Sequence, residues 1–135
     1  MRTNARRHRN WSGSVRFSPQ QVRRPTSEAQ VLEALRTDSA ALRERTEHLA
    51  ARLGGELVAH DGRVGGGGGA EVPLPGWAIA LEPELAGPLR IADPAVVATV
   101  RDERCLLDLR CVPAEEDERL VAAVDAARAL RGAAR

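Results

Sequence analysis

Residues 64–77 read VGGGGGAEVPLPGW, and this stretch limits the fold more than any other. Glycines at 65 to 69 free the backbone to take φ above zero and to lie close against another group, while Pro73 and Pro75 fix φ and withhold two amide donors. Such a segment is a loop with an element on each side. It can cradle a phosphate, or it can be slack between two elements. As a nucleotide loop it fails on three counts. It lacks a G-K-[ST] ending, it is followed by Pro-Leu-Pro-Gly and a strand where a helix should start, and no acid stands about 20 residues on after a strand–helix–strand unit.

The flanks of the loop carry strand patterns. Residues 56–60 read as a short strand feeding the loop, and beyond it Trp77, Ile79 and Leu81 alternate with Ala78 and Ala80. Upstream, Ser27 and Gln30 have the spacing of a capping box before a short helix over 28–36. Thr37 and Asp38 start a second helix, in which Leu42, Thr46, Leu49 and Leu53 share one face and which Gly54 and Gly55 close. Downstream, residues 82–90 allow only a brief helix, because Gly87 and Pro88 interrupt it. Residues 96–100 and 104–110 read as strands joined in a hairpin through Arg101, Asp102 and Glu103, with Cys105, Leu107 and Leu109 on one face and Leu106, Asp108 and Arg110 on the other. A last helix follows Pro113, with Glu115, Glu116 and Asp117 in its first turn, Arg128 and Arg131 in its last, and an apolar face of Leu120, Ala123, Val124, Ala127 and Leu130. The order predicts an α+β fold in which a small, mainly antiparallel sheet is covered on one face by helices.

The 135 residues suffice for one modest core. Residues 1–24 show no sustained periodicity and read as a basic, disordered tail, leaving the α+β domain to 25–135. Residues 1–27 hold seven Arg and no acid, and the rest of the chain holds the other 13 Arg and all 19 acids. A basic head on an acidic body follows, and the head, with Trp11 and Phe17, could make weak contacts with RNA. No apolar run approaches the roughly 20 residues a membrane span needs, so no membrane partner and a cytoplasmic location are expected. On one strand Cys105 and Cys111 would lie about 20 Å apart, too far for a disulfide. No metal site is expected either, since neither CxxC nor HxxxH occurs. All twenty basic residues are Arg. Without Lys the chain has no ε-amine for a Schiff base or for a phosphate-binding loop.

Two motifs in order give the chain a relative. Val64, Gly65, Gly66 and Gly67 lead at matching spacing to Leu74 and Pro75, and further on come Asp102, then Leu106, Leu107, Asp108, Leu109 and Arg110, then Val112, Pro113, Glu115, Glu116 and Asp117. Together they resemble the C-terminal part of bacterial selenocysteine synthase, the L-seryl-tRNA(Sec) selenium transferase family, over about residues 38 to 130. ERTEHLAARLGG resembles the helix that precedes the loop in that family. Gly68 and Gly76 stand where the family usually has Ser, and Cys105 and Cys111 where it has an aliphatic residue and a Thr.

The resemblance implies the small domain of a fold-type I pyridoxal-phosphate enzyme, in which Val64, Gly65, Gly66, Gly67, Leu74 and Pro75 form a loop at the edge of the cofactor cleft. Full-length members replace the serine hydroxyl of Ser-tRNA(Sec) with selenium from selenophosphate. The large domain with its cofactor lysine has no counterpart in these residues, so no cofactor is expected on this chain alone, no catalytic residue is assigned, and activity by itself is not expected. The partners implied are a pyridoxal-phosphate large domain or a second copy. Arg110 could grip a substrate carboxylate through its fork, but seryl-tRNA offers an ester there, and pairing with a nearby acid at the sheet edge is the favoured role. His60 beside Asp61 has no nucleophile at a recognisable spacing. The alternative to the enzyme fragment is a non-enzymatic interaction module with an RNA-contacting basic arm.

Overall fold

The computed structural model describes residues 28–63 and 72–133. In chain order the elements are α1 (Glu28–Arg36), α2 (Ser39–Leu53), β1 (Glu56–Ala59), β2 (Gly62–Arg63), β3 (Pro73–Leu74), β4 (Trp77–Leu81), α3 (Ala86–Ile91), β5 (Thr99–Arg101), β6 (Arg104–Asp108) and α4 (Asp117–Ala133). The basic segment 1–24, the capping box at Ser27 and the glycines at 65 to 69 lie outside the described residues.

Asp38 caps α2, its carboxylate accepting from the Ala41 amide at 3.0 Å. The helix ends at Gly54, which takes φ +61° and donates its N–H to the carbonyls of Ala50 and Ala51. Leu42, Thr46, Leu49 and Leu53 are all buried, as their spacing predicts, and the Thr46 hydroxyl is satisfied by the Leu42 carbonyl at 2.6 Å. Each of the three leucines contributes roughly 2 kcal/mol by leaving water.

Four strands form one antiparallel sheet in the order β1-β4-β6-β5. β4 is central, pairing Ile79 with Leu57 on one side and with Leu107 on the other. Residues 82–98 carry the chain out to the edge, so β5 is laid down first and the hairpin returns β6 to the place beside β4. Ile79, Leu81, Cys105, Leu107 and Leu109 form the main core with Leu42, Leu49, Leu53, Leu85, Leu89, Leu120 and Val124. A second, small cluster of Ala78, Ala80 and Leu106 lies on the opposite face, flanked by Val58. The expected α+β architecture and the facing of residues 105–109 are therefore present.

Three expectations are corrected. The outer strand is shorter and later than 96–100, running only over Thr99–Arg101, because the Val96 amide is taken by the Leu89 carbonyl at 2.8 Å and the chain is still closing α3 there. The brief helix expected within 82–90 is present as α3, but Gly87 and Pro88 do not interrupt it. They sit in the first turn of α3, where a missing N–H costs nothing, after one 3-10 turn at Pro83–Leu85. Leu130 is 54% exposed, because the last turns of α4 are held by ions: Arg128 reaches the Leu53 carbonyl and Glu82, and Arg131 lies 3.9 Å from Glu82 and Glu84. Among the described residues no helix is long and apolar enough to cross a membrane.

Candidate functional site

The β1–β4 hairpin does not run straight into the loop. After the pair Ala59↔Trp77 the His60 amide donates to the Gly76 carbonyl at 3.0 Å, and only then do Gly62↔Leu74 and Arg63↔Pro73 pair again as a separate two-stranded ribbon. The ribbon that leads to residues 64–71 is thus hinged on the sheet at residues 60–61 and 75–76.

The end of β6 packs into this hinge. Arg110 Nη2 donates to the Pro75 carbonyl at 2.6 Å, and its Nη1 to the Ala34 carbonyl of α1 at 3.3 Å. Its Nε is buried and has no hydrogen-bond partner. A β-carbon added to Gly76 would lie 3.0 Å from Arg110 Nη2 and 3.3 Å from the His60 carbonyl, so this position demands glycine or a shift of the strap. Gly62 passes over the same place, its hypothetical β-carbon 3.6 Å from Asp108 Oδ2 and 3.8 Å from Arg110 Nε.

Asp108 completes the cluster. One carboxylate oxygen accepts the Arg110 backbone N–H at 2.9 Å, and the other lies 3.9 Å from Nε2 of His60, whose side chain is 10% exposed. The expected pairing of Arg110 with an acid is therefore corrected. Its guanidinium holds two backbone carbonyls, and only its amide meets a carboxylate, because Asp108 two residues earlier is turned back onto the chain.

A second arginine fixes the turn from which Arg110 projects. Arg45 on α2 donates from Nη1 to the carbonyls of Leu109 at 3.3 Å and Val112 at 2.9 Å, and from Nη2 to that of Pro113 at 3.2 Å. It also grips Asp117 with both Nε and Nη2. This planar fork ties α2, the 109–113 turn and the start of α4 into one unit.

Of the site residues expected from the sequence, Val64, Gly65, Gly66 and Gly67 lie outside the described residues. Leu74 sits half-buried opposite Gly62, and Pro75 offers the carbonyl that Arg110 takes, so two separate expectations meet in one contact. His60 faces Asp108 rather than acting with its neighbour Asp61. The structural roles of Asp108 and Arg45 are not signalled by the sequence beyond the parity of residue 108 on its strand.

The chemistry available is that of a scaffold. Among the described residues no hydroxyl or thiol is hydrogen-bonded to His60, and no three His, Cys, Asp or Glu residues are grouped to hold a metal ion. Both cysteines are free, Cys105 buried and Cys111 exposed. Burial, with a smaller effect from Glu82, pushes the Cys105 thiol above its ordinary range.

No protein-family profile matches the chain. Over 89 residues it is 39% identical to two L-seryl-tRNA(Sec) selenium transferases of Moorella thermoacetica. The match takes in 62% of this chain but 18% of each relative, so the chain spans less than a fifth of the curated relatives it matches.

Proposed function

From this partial homology to L-seryl-tRNA(Sec) selenium transferase, we propose that the α+β unit is the C-terminal small domain of an enzyme of that type. It would serve the conversion of seryl-tRNA(Sec) to selenocysteinyl-tRNA(Sec) without carrying the chemistry itself. The observation that carries this reading is the 39% identity over 89 residues. The small domain's task is positional. Arg110 holds the chain at Pro75 beside the ribbon of Gly62–Arg63 and Pro73–Leu74, and on this reading that end of the sheet would face the cleft of a large domain.

Pyridoxal phosphate, which the family implies, does not fit the residues present. Its attachment needs a lysine amine, all twenty basic residues are Arg, and a guanidinium is too weakly acidic to give up its proton and take that part. The cofactor and the reacting atoms therefore belong to another part of the assembly, and the 135 residues alone are inactive.

A chimera tests the proposal. The 89 matching residues of the Moorella thermoacetica enzyme are replaced by those of this chain, and selenocysteinyl-tRNA(Sec) formation is followed with selenophosphate as donor. Conversion within about tenfold of the parent is expected, while this chain assayed by itself gives none. A chimera that is soluble and loads its cofactor but forms no product would sink the reading and favour the interaction module with its basic arm.

A further inference from the structure

The face of the sheet that carries no helix holds a cavity of about 610 Å³. Its construction follows from β4, which turns its bulky Ile79 and Leu81 into the main core and leaves only the small side chains of Ala78 and Ala80 on this side. The cavity lies over this small cluster, with Val58 of β1 and Leu106 of β6 as its aliphatic lining.

The charged groups are distributed unevenly around it. Residues 28–133 hold 12 Arg against 19 acids, an acidic surface overall, yet Arg63, Arg101 and Arg104 line this one cavity against Asp61 and Asp102. His60 joins them with a side chain nine-tenths buried. Arg104 reaches Glu56 at 2.9 Å, whereas the side chain of Arg101 makes no hydrogen bond or ion pair among the described residues.

Two features of the lip are costly without a ligand. Arg101 and Arg104 are direct partners in the β5–β6 register, and with Arg104 turned to Glu56 the Arg101 charge is left without a counter-charge. The turn joining them places Asp102 at φ +49° and Glu103 at φ +57°, a conformation that two-residue hairpins normally give to Asn-Gly. The strained turn and the uncompensated Arg101 occur together, beside a cavity of ligand size.

We propose that this cavity is a binding site for a phosphate-bearing ligand of nucleotide size. Arg101 grips the phosphate oxygens with its unpartnered fork, and Arg104 joins it by exchanging Glu56 for the anion. His60 and Arg63 also line the cavity, and Val58 and Leu106 receive the apolar body of the ligand. The inference uses only this face of the sheet and does not depend on the selenium-transferase reading.

The test is titration of the isotope-labelled full chain, 14.5 kDa, with inorganic phosphate, 5′-AMP and a short single-stranded RNA, followed by NMR. 5′-AMP is expected to saturate and to shift the amide signals of residues 58–63 and 101–106, with inorganic phosphate binding more weakly at the same place. R101A and R104A should each weaken 5′-AMP roughly tenfold, the worth of one charge-assisted contact. R101A is the decisive variant, because it removes no contact within the described fold. RNA that 5′-AMP displaces identifies the source of the phosphate as a nucleic-acid end, and RNA that it does not displace identifies a free nucleotide. Shifts confined to residues 1–27, absence of saturation, or unchanged affinity in R101A would overturn the proposal.

Discussion

Replacing Arg45 with Ala is expected to cost about 3 kcal/mol, and the figure can be built from its contacts. The fork makes hydrogen bonds to three carbonyls, one of 2.9 Å and two of 3.2 and 3.3 Å, and a two-point contact with Asp117. Bonds to a charged donor are each worth about 1.5–3 kcal/mol when well made. The two long ones fall at or below the low end, and the Arg45 and Asp117 side chains are 24% and 21% exposed, so water repairs part of the loss. For a small domain with a urea slope of about 2 kcal/mol/M, the unfolding midpoint drops by about 1.5 M. R45K keeps the charge but not the fork, and should recover no more than about a third of the loss. D117A, which leaves the carbonyl contacts in place, should cost about 1 kcal/mol. An R45A loss under about 0.5 kcal/mol, or full recovery in R45K, would show that the turn at 109–113 is held by its own backbone and that the clamp adds nothing.

Three further outcomes follow from the same structure. G55A should cost about 2 kcal/mol or more and G54A about 1 kcal/mol, because the new β-carbon at 55 would sit 2.7 Å from Ile79 Cγ2 and 3.0 Å from the Ala80 carbonyl, while that at 54 meets nothing and suffers only from φ +61°; the opposite order in urea melts would contradict this packing. In the native protein a thiol reagent should modify Cys111 within minutes and Cys105 only on unfolding, since Cys105 is buried and its thiol is pushed up in pKa; two equivalent fast thiols would refute the placement of β6. Glu82 is held below its ordinary value of 4.5 by its own backbone amide and by Arg128 and Arg131. A depressed carboxylate contributes stability that is complete above the unfolded value and lost as pH falls through the folded one. The loss of stability from pH 6 to pH 3 should therefore be smaller in E82Q than in the parent, and equal losses would deny Glu82 this part.

How much of this was legible in the sequence depends on the range of the force involved. Leu42, Thr46, Leu49 and Leu53 could be placed on one buried face because helix periodicity and burial are both local. The facing of Cys105, Leu107 and Leu109 against Leu106 followed from strand parity in the same way. The ends of elements did not follow, because they are set by contacts at a distance in the chain. Residues 96–98 have the composition of a strand, but the Leu89 carbonyl captures the Val96 amide first. Leu130 continues the apolar stripe of α4, but Glu82 and Glu84 draw the arginines beside it to the surface.

The candidate site illustrates why single residues mislead where pairs do not. Arg110 read alone suggests a partner acid, and Asp108 on the same strand face stands ready to be one. The competition is decided by geometry: the carboxylate is satisfied by the backbone amide two residues on, which leaves the guanidinium to strap Pro75 and Ala34. That outcome makes the hinge depend on a residue type at 76 and not on a charge. The added β-carbon there would lie 3.0 Å from the strapping nitrogen, so Gly76 is matched to the close approach of Arg110. G76S should accordingly loosen the Arg110–Pro75 contact while leaving the helix-side core intact, since no residue of β4 that faces the helices changes. Backbone amide exchange at residues 60–63 and 73–76, measured against exchange at residues 105–109, reads the two regions separately. Faster exchange confined to the first set is the expected result, and uniform acceleration or none would mean that the strap does not set the angle of the ribbon.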